Sequence, residues 1–211
     1  MRLSNRFEKH VLVAAAVAMG ATAAANAAIV YSGVVNFSCA VDLDGTYINV
    51  ETNQLTNGPE SLVPGWDVNP YRASTGSGMN FYSPTGGGMV SAVAGTGPAI
   101  NLSSGTLIGA SSNFSSATTT IAFGSAAGQW QYASNNIVGF RFVSSAGTTH
   151  YGWMRFLMGS QPASGNLVTR TVVDFAYESV AGESIAAGAV PAPGALALLG
   201  VAGLAGKRRR R

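Results

Sequence analysis

His150 and Cys39 are the residues to weigh first, because imidazole and thiol chemistry at neutral pH has almost nowhere else to reside in this 211-residue chain. The only other histidine is His10, in the N-terminal segment, and there is no second cysteine. A Ser-His-Asp relay or a histidine-based zinc cluster can therefore draw on one imidazole at most. No Gly-x-Ser-x-Gly elbow occurs, and no phosphate-cradling glycine loop follows an expected strand. His150 lies in TTHYGWMRF, where it reads as a strand residue hydrogen-bonded to a neighbour. Cys39 cannot form an internal disulfide and lies too far from the N-terminal apolar stretch to be a lipoprotein cysteine. It reads as a small, half-buried strand residue. No residue is assigned a catalytic, cofactor-binding or metal-binding role.

The acids give a similar result. VDLDGTYINVE brings Asp42, Asp44 and Gly45 together with Glu51 beyond. An EF-hand loop needs a third Asp or Asn before the glycine, and this stretch does not supply that spacing. Asp44-Gly45 predicts a hairpin turn between VDL and TYINV instead, since both residues tolerate positive φ. Asp67 and Asn69 in PGWDVNPY read as turn formers. The aromatic supply is larger: Trp66, Tyr71, Tyr82, Trp130, Tyr132, Tyr151 and Trp153. Two or three of these rings, coplanar and exposed beside a carboxylate, would make a glycan platform; buried, they would be structural anchors.

The elements that must position these side chains read as strands. Only 10% of the residues are charged, 27 are glycine, and polarity comes from Ser, Thr and Asn. Short apolar bursts rich in β-branched and aromatic residues alternate with Gly, Asn, Pro and Ser clusters. IVYSGVVNF, TYINVET, WDVNPYRA, MNFYS, TTTIAFG, IVGFRFV, HYGWMRFLM and VTRTVVDFAYES are the expected strands. No long 3.6-period stretch and no fixed repeat interrupts them. The fold class is all-β, an antiparallel β-sandwich of jelly-roll-like form. Residues 85–128, rich in small side chains, are expected to hold short strands (MVSAV, TLIG) on glycine turns, or loops. The short, glycine-containing SSAGTT predicts an antiparallel hairpin of Ile137–Val143 with Thr149–Leu157. Its second strand is apolar on both faces, which predicts a central, doubly covered position with Trp153 buried and Gly152 crossed by a large ring.

The net charge of +3 conceals a division. The first ten residues carry +2 and the last five +5, leaving −4 between them, which removes the electrostatic basis for a nucleic-acid partner. Arg2, Arg6 and Lys9 precede the apolar stretch Val11–Met19, and Ala25-Asn26-Ala27 meets the small-x-small requirement of signal peptidase. Residues 1–27 thus read as a signal peptide and Ala28 as the mature N-terminus; the absence of an Arg-Arg pair argues against a twin-arginine route. At the other end, residues 194–206 are uncharged and apolar, but as a helix they span only about 20 Å, short of a ~30 Å hydrocarbon core. With Lys207 to Arg211 held on the cytoplasmic side, the segment reads as a temporary inner-membrane anchor.

Pro191-Ala192-Pro193, the apolar stretch, and Lys207, Arg208, Arg209, Arg210 and Arg211 together resemble the PEP-CTERM sorting signal of exosortase-processed bacterial proteins, with Ala192 where the family motif has Glu. The resemblance implies removal of the tail by an exosortase-type membrane enzyme and delivery to the cell surface. DGTYINVET, PGWDVNPY, IVGFRFVSSAGTTHYGWMRF and FAYESVAGESIAAG are similar to a passenger domain recurring in such proteins, for which no catalytic residues are established. The expected organisation is a signal peptide (1–27), a sandwich domain (28–188) and a sorting signal (189–211). The expected function is that of an exported, non-enzymatic surface or extracellular-matrix protein without cofactor or nucleic-acid partner. A glycan-binding module with extracellular polysaccharide as its partner is the alternative.

Overall fold

The structure, a computed structural model, describes residues 28–73, 78–115, 119–163 and 167–191. The expected signal peptide, the apolar tail stretch and the basic run fall outside the described residues. Among the described residues no helix is long and apolar enough to cross a membrane.

The described chain is all-β and its sheets are antiparallel. In order, the strands are β1 (Ile29–Tyr31), β2 (Phe37–Ser38), β3 (Thr46–Asn49), β4 (Gln54–Asn57), β5 (Asn69–Arg72), β6 (Met79–Tyr82), β7 (Gly88–Val93) and β8 (Thr96–Ala99). They are followed by β9 (Leu107–Ile108), β10 (Phe114–Ser115), β11 (Thr119–Thr120), β12 (Asn135–Val143), β13 (Thr149–Met158), β14 (Arg170–Glu178) and β15 (Ile185–Ala186). The main sheet runs β1-β14-β13-β12-β7-β10, with β2 on β14 and β8 on β7. Smaller sheets are β11-β6-β5, β3-β4 and β15-β9.

β12 and β13 form the expected hairpin, in register from Asn135 opposite Leu157 to Val143 opposite Thr149. β13 also pairs β14, which makes it central. Strand alternation then sends its two residue sets into two cores. On one face Val138, Phe140, Phe142, Met154, Phe156 and Met158 pack against Ile48, Met79 and Phe81 from the smaller sheets and Val68 and Trp130 from the segments beside them, a sandwich-like arrangement. On the other, Tyr151, Trp153 and Ala176 pack with Val90, Ile108 and Ile185. Gly152 lies under Phe140 as expected: a Cβ there would collide with the Phe140 ring and stand 2.6 Å from the Ala176 carbonyl oxygen.

Two sequence expectations are corrected. IVYSGVVNF is not one strand but β1 and β2, separated by Gly33 at φ +71° and Asn36 at φ +47°. The cause is a bulge in β14: Arg155 faces Asp174 but Phe156 faces Val172, which leaves Val173 without a cross-strand partner in β13. The Val173 carbonyl turns to accept the Val35 and Asn36 N–H groups at 2.8 and 3.2 Å. Asp44-Gly45 is not a hairpin turn either. Residues 42–44 bend, the Asp42 carboxylate accepts the Gly45 N–H at 2.7 Å, and β3 turns back through residues 50–53 into β4. Gly45 is required for space as well as for its φ of +81°, because a Cβ would meet the Asn69 side chain and, at 2.6 Å, Tyr71 Cβ.

Candidate functional site

A groove of about 470 Å³ opens where the β4–β5 and β6–β7 connections meet the end of β12. That volume falls in the range of small-ligand sites. Its chemistry comes from Trp66, Tyr82, Glu60 and Asp67, with Phe142 and Val143 behind them. Pro64-Gly65 turns the chain, Gly65 at φ +68°, and delivers Trp66 and Asp67 to the start of β5. A bridge between Ile48 and Val68 fixes this approach. The Asp67 N–H donates to Ile48 O at 2.8 Å, and the Val50 N–H donates to Asp67 Oδ2 at 2.8 Å. Tyr82 closes β6 and remains 48% exposed.

Trp66 stands between two tyrosines. The Tyr47 ring meets it edge-on at 5.1 Å and 75°, and Tyr82 lies at 5.7 Å and 44°. The rings form a corner, not a flat platform. The Asp67 carboxyl is buried, and burial pushes its pKa up to about 7; the Glu51 charge acts in the same direction and the Val50 hydrogen bond against it. The groove therefore offers two aromatic surfaces, one exposed carboxylate and one carboxyl that is partly protonated near neutral pH. No Lys or Arg lines it. Such a lining accepts hydrogen bonds from hydroxyl groups and packs apolar C–H surface against the rings.

The other aromatic residues singled out in the sequence go elsewhere. Trp130 and Trp153 are fully buried, their indole N–H groups donating to Ala99 O and Ala189 O, each at 2.9 Å. Tyr151 is buried against Phe114, and Tyr132 stacks on Phe123 with centroids 3.9 Å apart. Tyr71 is half-buried on β5.

His150 is held as expected: Nδ1 bonds the Glu178 carbonyl at 2.8 Å and Nε2 bonds Thr148 Oγ1 at 3.0 Å. Cys39 is a correction, since it is buried rather than half-buried and lies just beyond β2. Burial pushes its thiol pKa up, against the nearby Arg170 guanidinium, so the protonated, unreactive form dominates. Asp67 and Asn69 are also corrected. Asp67 receives the end of β3, and Asn69 is a strand residue of β5 whose amide donates to Asp44 O at 2.9 Å. Asp44 accepts from the Tyr47 hydroxyl at 3.0 Å, and Glu51 from the Ser145 N–H at 2.7 Å. Among the described residues no group of three or more His, Cys, Asp or Glu side chains is placed to hold a metal ion.

Of the processing residues, Ala28 and Pro191 are described; Ala25, Ala27, Ala192, Pro193 and Lys207 to Arg211 lie outside the described residues. Glu60 and Glu178, both prominent in the structure, were not singled out by spacing, because each acquires its role from a segment distant in sequence. No family model, curated protein or solved structure matches the chain.

Proposed function

We propose that this chain is an exported bacterial surface or extracellular-matrix protein with a structural, non-enzymatic role, sorted by an exosortase-type enzyme after signal peptidase cleavage. On this reading the sheets form a jelly-roll-like sandwich, and residues 194–206 hold the protein briefly at the inner membrane. The observation that carries the reading is where the hydrogen-bonded fold is fastened. At one end Ala28 O accepts the Ser179 N–H at 3.0 Å; at the other Ala189 O accepts the Trp153 indole N–H at 2.9 Å. Both fastenings are immediately inside the junctions suggested by the small-x-small site and the Pro-Ala-Pro motif, so both cuts would leave the sheets whole.

The test is the mass of the exported protein in a host that carries an exosortase. The expected product begins at Ala28 and lacks the chain beyond Pro193; in a host without the enzyme the tail remains as an anchor. Neutral residues at Arg208 to Arg211 should misorient the protein or leave it uncut, and Ala192→Glu should be processed at least as well as the natural chain. Material that still begins at Met1, or sorting indifferent to the basic run, would refute the proposal.

A second reading, glycan binding, rests on the exposed Tyr82 and half-buried Trp66 beside two acids, although the two rings meet at 44° instead of lying coplanar. Tyr82→Ala should leave the melting temperature within about 2 °C, as for an exposed substitution, while abolishing retention on extracellular polysaccharide. Equal retention of the two proteins would remove this reading.

A further inference from the structure

Glu178 is a buried side chain, 4% exposed, and among the described residues no cation pairs with it. Among the described residues the ion pair is Arg155–Asp174, on another part of β14. The His150 ring engages the Glu178 backbone carbonyl and not its carboxylate. One carboxylate oxygen, Oε1, gathers the donors: the Ala28 N–H at 2.9 Å, the Val180 N–H at 3.1 Å and, at the limit of a hydrogen bond, Ser179 Oγ at 3.5 Å. A buried carboxylate of this kind is costly unless a charge opposes it. The nearest donor, Ala28 N, belongs to the residue that the small-x-small site marks as the first of the mature chain.

We propose that Glu178 is the receptor for the new N-terminus, and that signal peptide removal supplies its counter-ion. This rests on the export reading. Hydrolysis of the Ala27–Ala28 bond consumes one water and leaves a carboxylate on Ala27 and an amine on Ala28. The amine takes up a proton near neutral pH, because α-amino groups titrate at about 8. The same nitrogen that donates one neutral hydrogen bond in the uncut chain then carries a full positive charge at hydrogen-bond distance from Oε1. Charge-assisted bonds of this type are roughly twice as strong as neutral ones. β1 pairs with β14 over only three residue pairs, Ile29–Glu178 to Tyr31–Ala176, so a charge clamp at its first residue secures an otherwise short edge strand. Cutting one residue to either side would place the charge out of line with Glu178. The geometry thus makes Glu178 a positioning residue for the processed terminus, and the folded protein distinguishes the processed from the unprocessed chain.

The experiment compares the chain from Ala28 to Arg211 with a free α-amine, the same chain acetylated at Ala28, and both forms carrying Glu178→Gln. The free-amine protein should melt about 3–6 °C above its acetylated counterpart. With Glu178→Gln that difference should vanish. A second readout is independent of overall stability: the Ala28 amine should react with an amine-directed acylating reagent roughly tenfold more slowly than in the Glu178→Gln chain, as its charged form is about tenfold favoured by a charge-assisted bond. Equal melting of the free and acetylated proteins, with equal labelling rates, overturns the proposal. The N-terminal mass of exported protein separates the two levels. A start at Ala28 without coupling to Glu178 defeats the clamp and spares the export reading; a cut at a neighbouring residue also defeats the clamp and spares export; a start at Met1 defeats the export reading.

Discussion

The β12–β14 block and the region from Met79 to Phe123 use similar residue types in opposite ways. In the block, nine- and ten-residue strands pair along nearly their full length and bury apolar side chains on both faces. In the other region, strands of two to six residues are interrupted by glycines in the left-handed region, among them Gly86, Gly95, Gly97 and Gly105. Its exposed positions include Val93 and Leu107. The difference is where conformational information resides. Cross-strand packing fixes the block, whereas turn geometry and a few inserted side chains fix the other region. The groove lies where the two meet, with Phe142 and Val143 from the block and Tyr82 from β6.

The largest test of this contrast is Trp153→Ala. Trp153 is fully buried between layers, packs near Tyr31 and holds Ala189 through its indole N–H. Its truncation should cost about 3–5 kcal/mol in denaturant unfolding. A loss below about 1 kcal/mol would mean that the block tolerates cavities and that packing is not its main constraint. Next come two glycine-to-alanine changes that use the same chemistry for different reasons. At Gly152 the obstacle is steric, the Phe140 ring and the Ala176 carbonyl, and the cost should be about 2–3 kcal/mol. At Gly95 nothing lies within 4 Å, but φ is +73°, so only the backbone penalty of about 1 kcal/mol remains. Equal costs would erase the distinction between packing and turn control.

Asp67→Asn has its smallest effect at low pH and gives the most informative profile. Its folded pKa, about 7, is above the unfolded value near 4. Between these values the folded state binds more protons than the unfolded one, so stability contributed at this site falls as pH rises from about 4 to about 7. Burial is the cause, and the loss across this range is on the order of 4 kcal/mol. Asp67→Asn keeps an acceptor for the Val50 N–H and should flatten that decline in melting curves recorded across the range. A decline that survives the substitution would place the titration elsewhere.

Much of the block was legible in the sequence because alternation and burial coincide there. Ile137–Val143, HYGWMRFLM and the Gly152–Phe140 contact follow from period-2 reasoning applied to residues apolar on both faces. The β14 bulge was not legible. Val172 and Phe175 are an odd number of positions apart and still share the first core, because Val173 drops out of the ladder. The same dislocation split the expected first strand. Asp44-Gly45 carried a turn signal that was correct in kind, but the Asp42 side chain redirected it into a bend before β3. The groove was legible only as ingredients. Trp66 and Tyr82 are 16 residues apart in sequence, and nothing in their spacing indicates that they meet, whereas the burial of Trp153 follows from its place on a doubly covered strand.

The pairing of β1 with β14 also sets an order of events. Ile29 is opposite Glu178, so the main sheet cannot be completed at that edge until nearly all of the intervening chain has been synthesised. Contacts so distant in sequence carry a large loop-closure cost and slow the approach to the native state. On the export route proposed above, which calls for an unfolded chain, such a delay is useful. The leading strand β1 has no partner until β14, the last long strand, arrives.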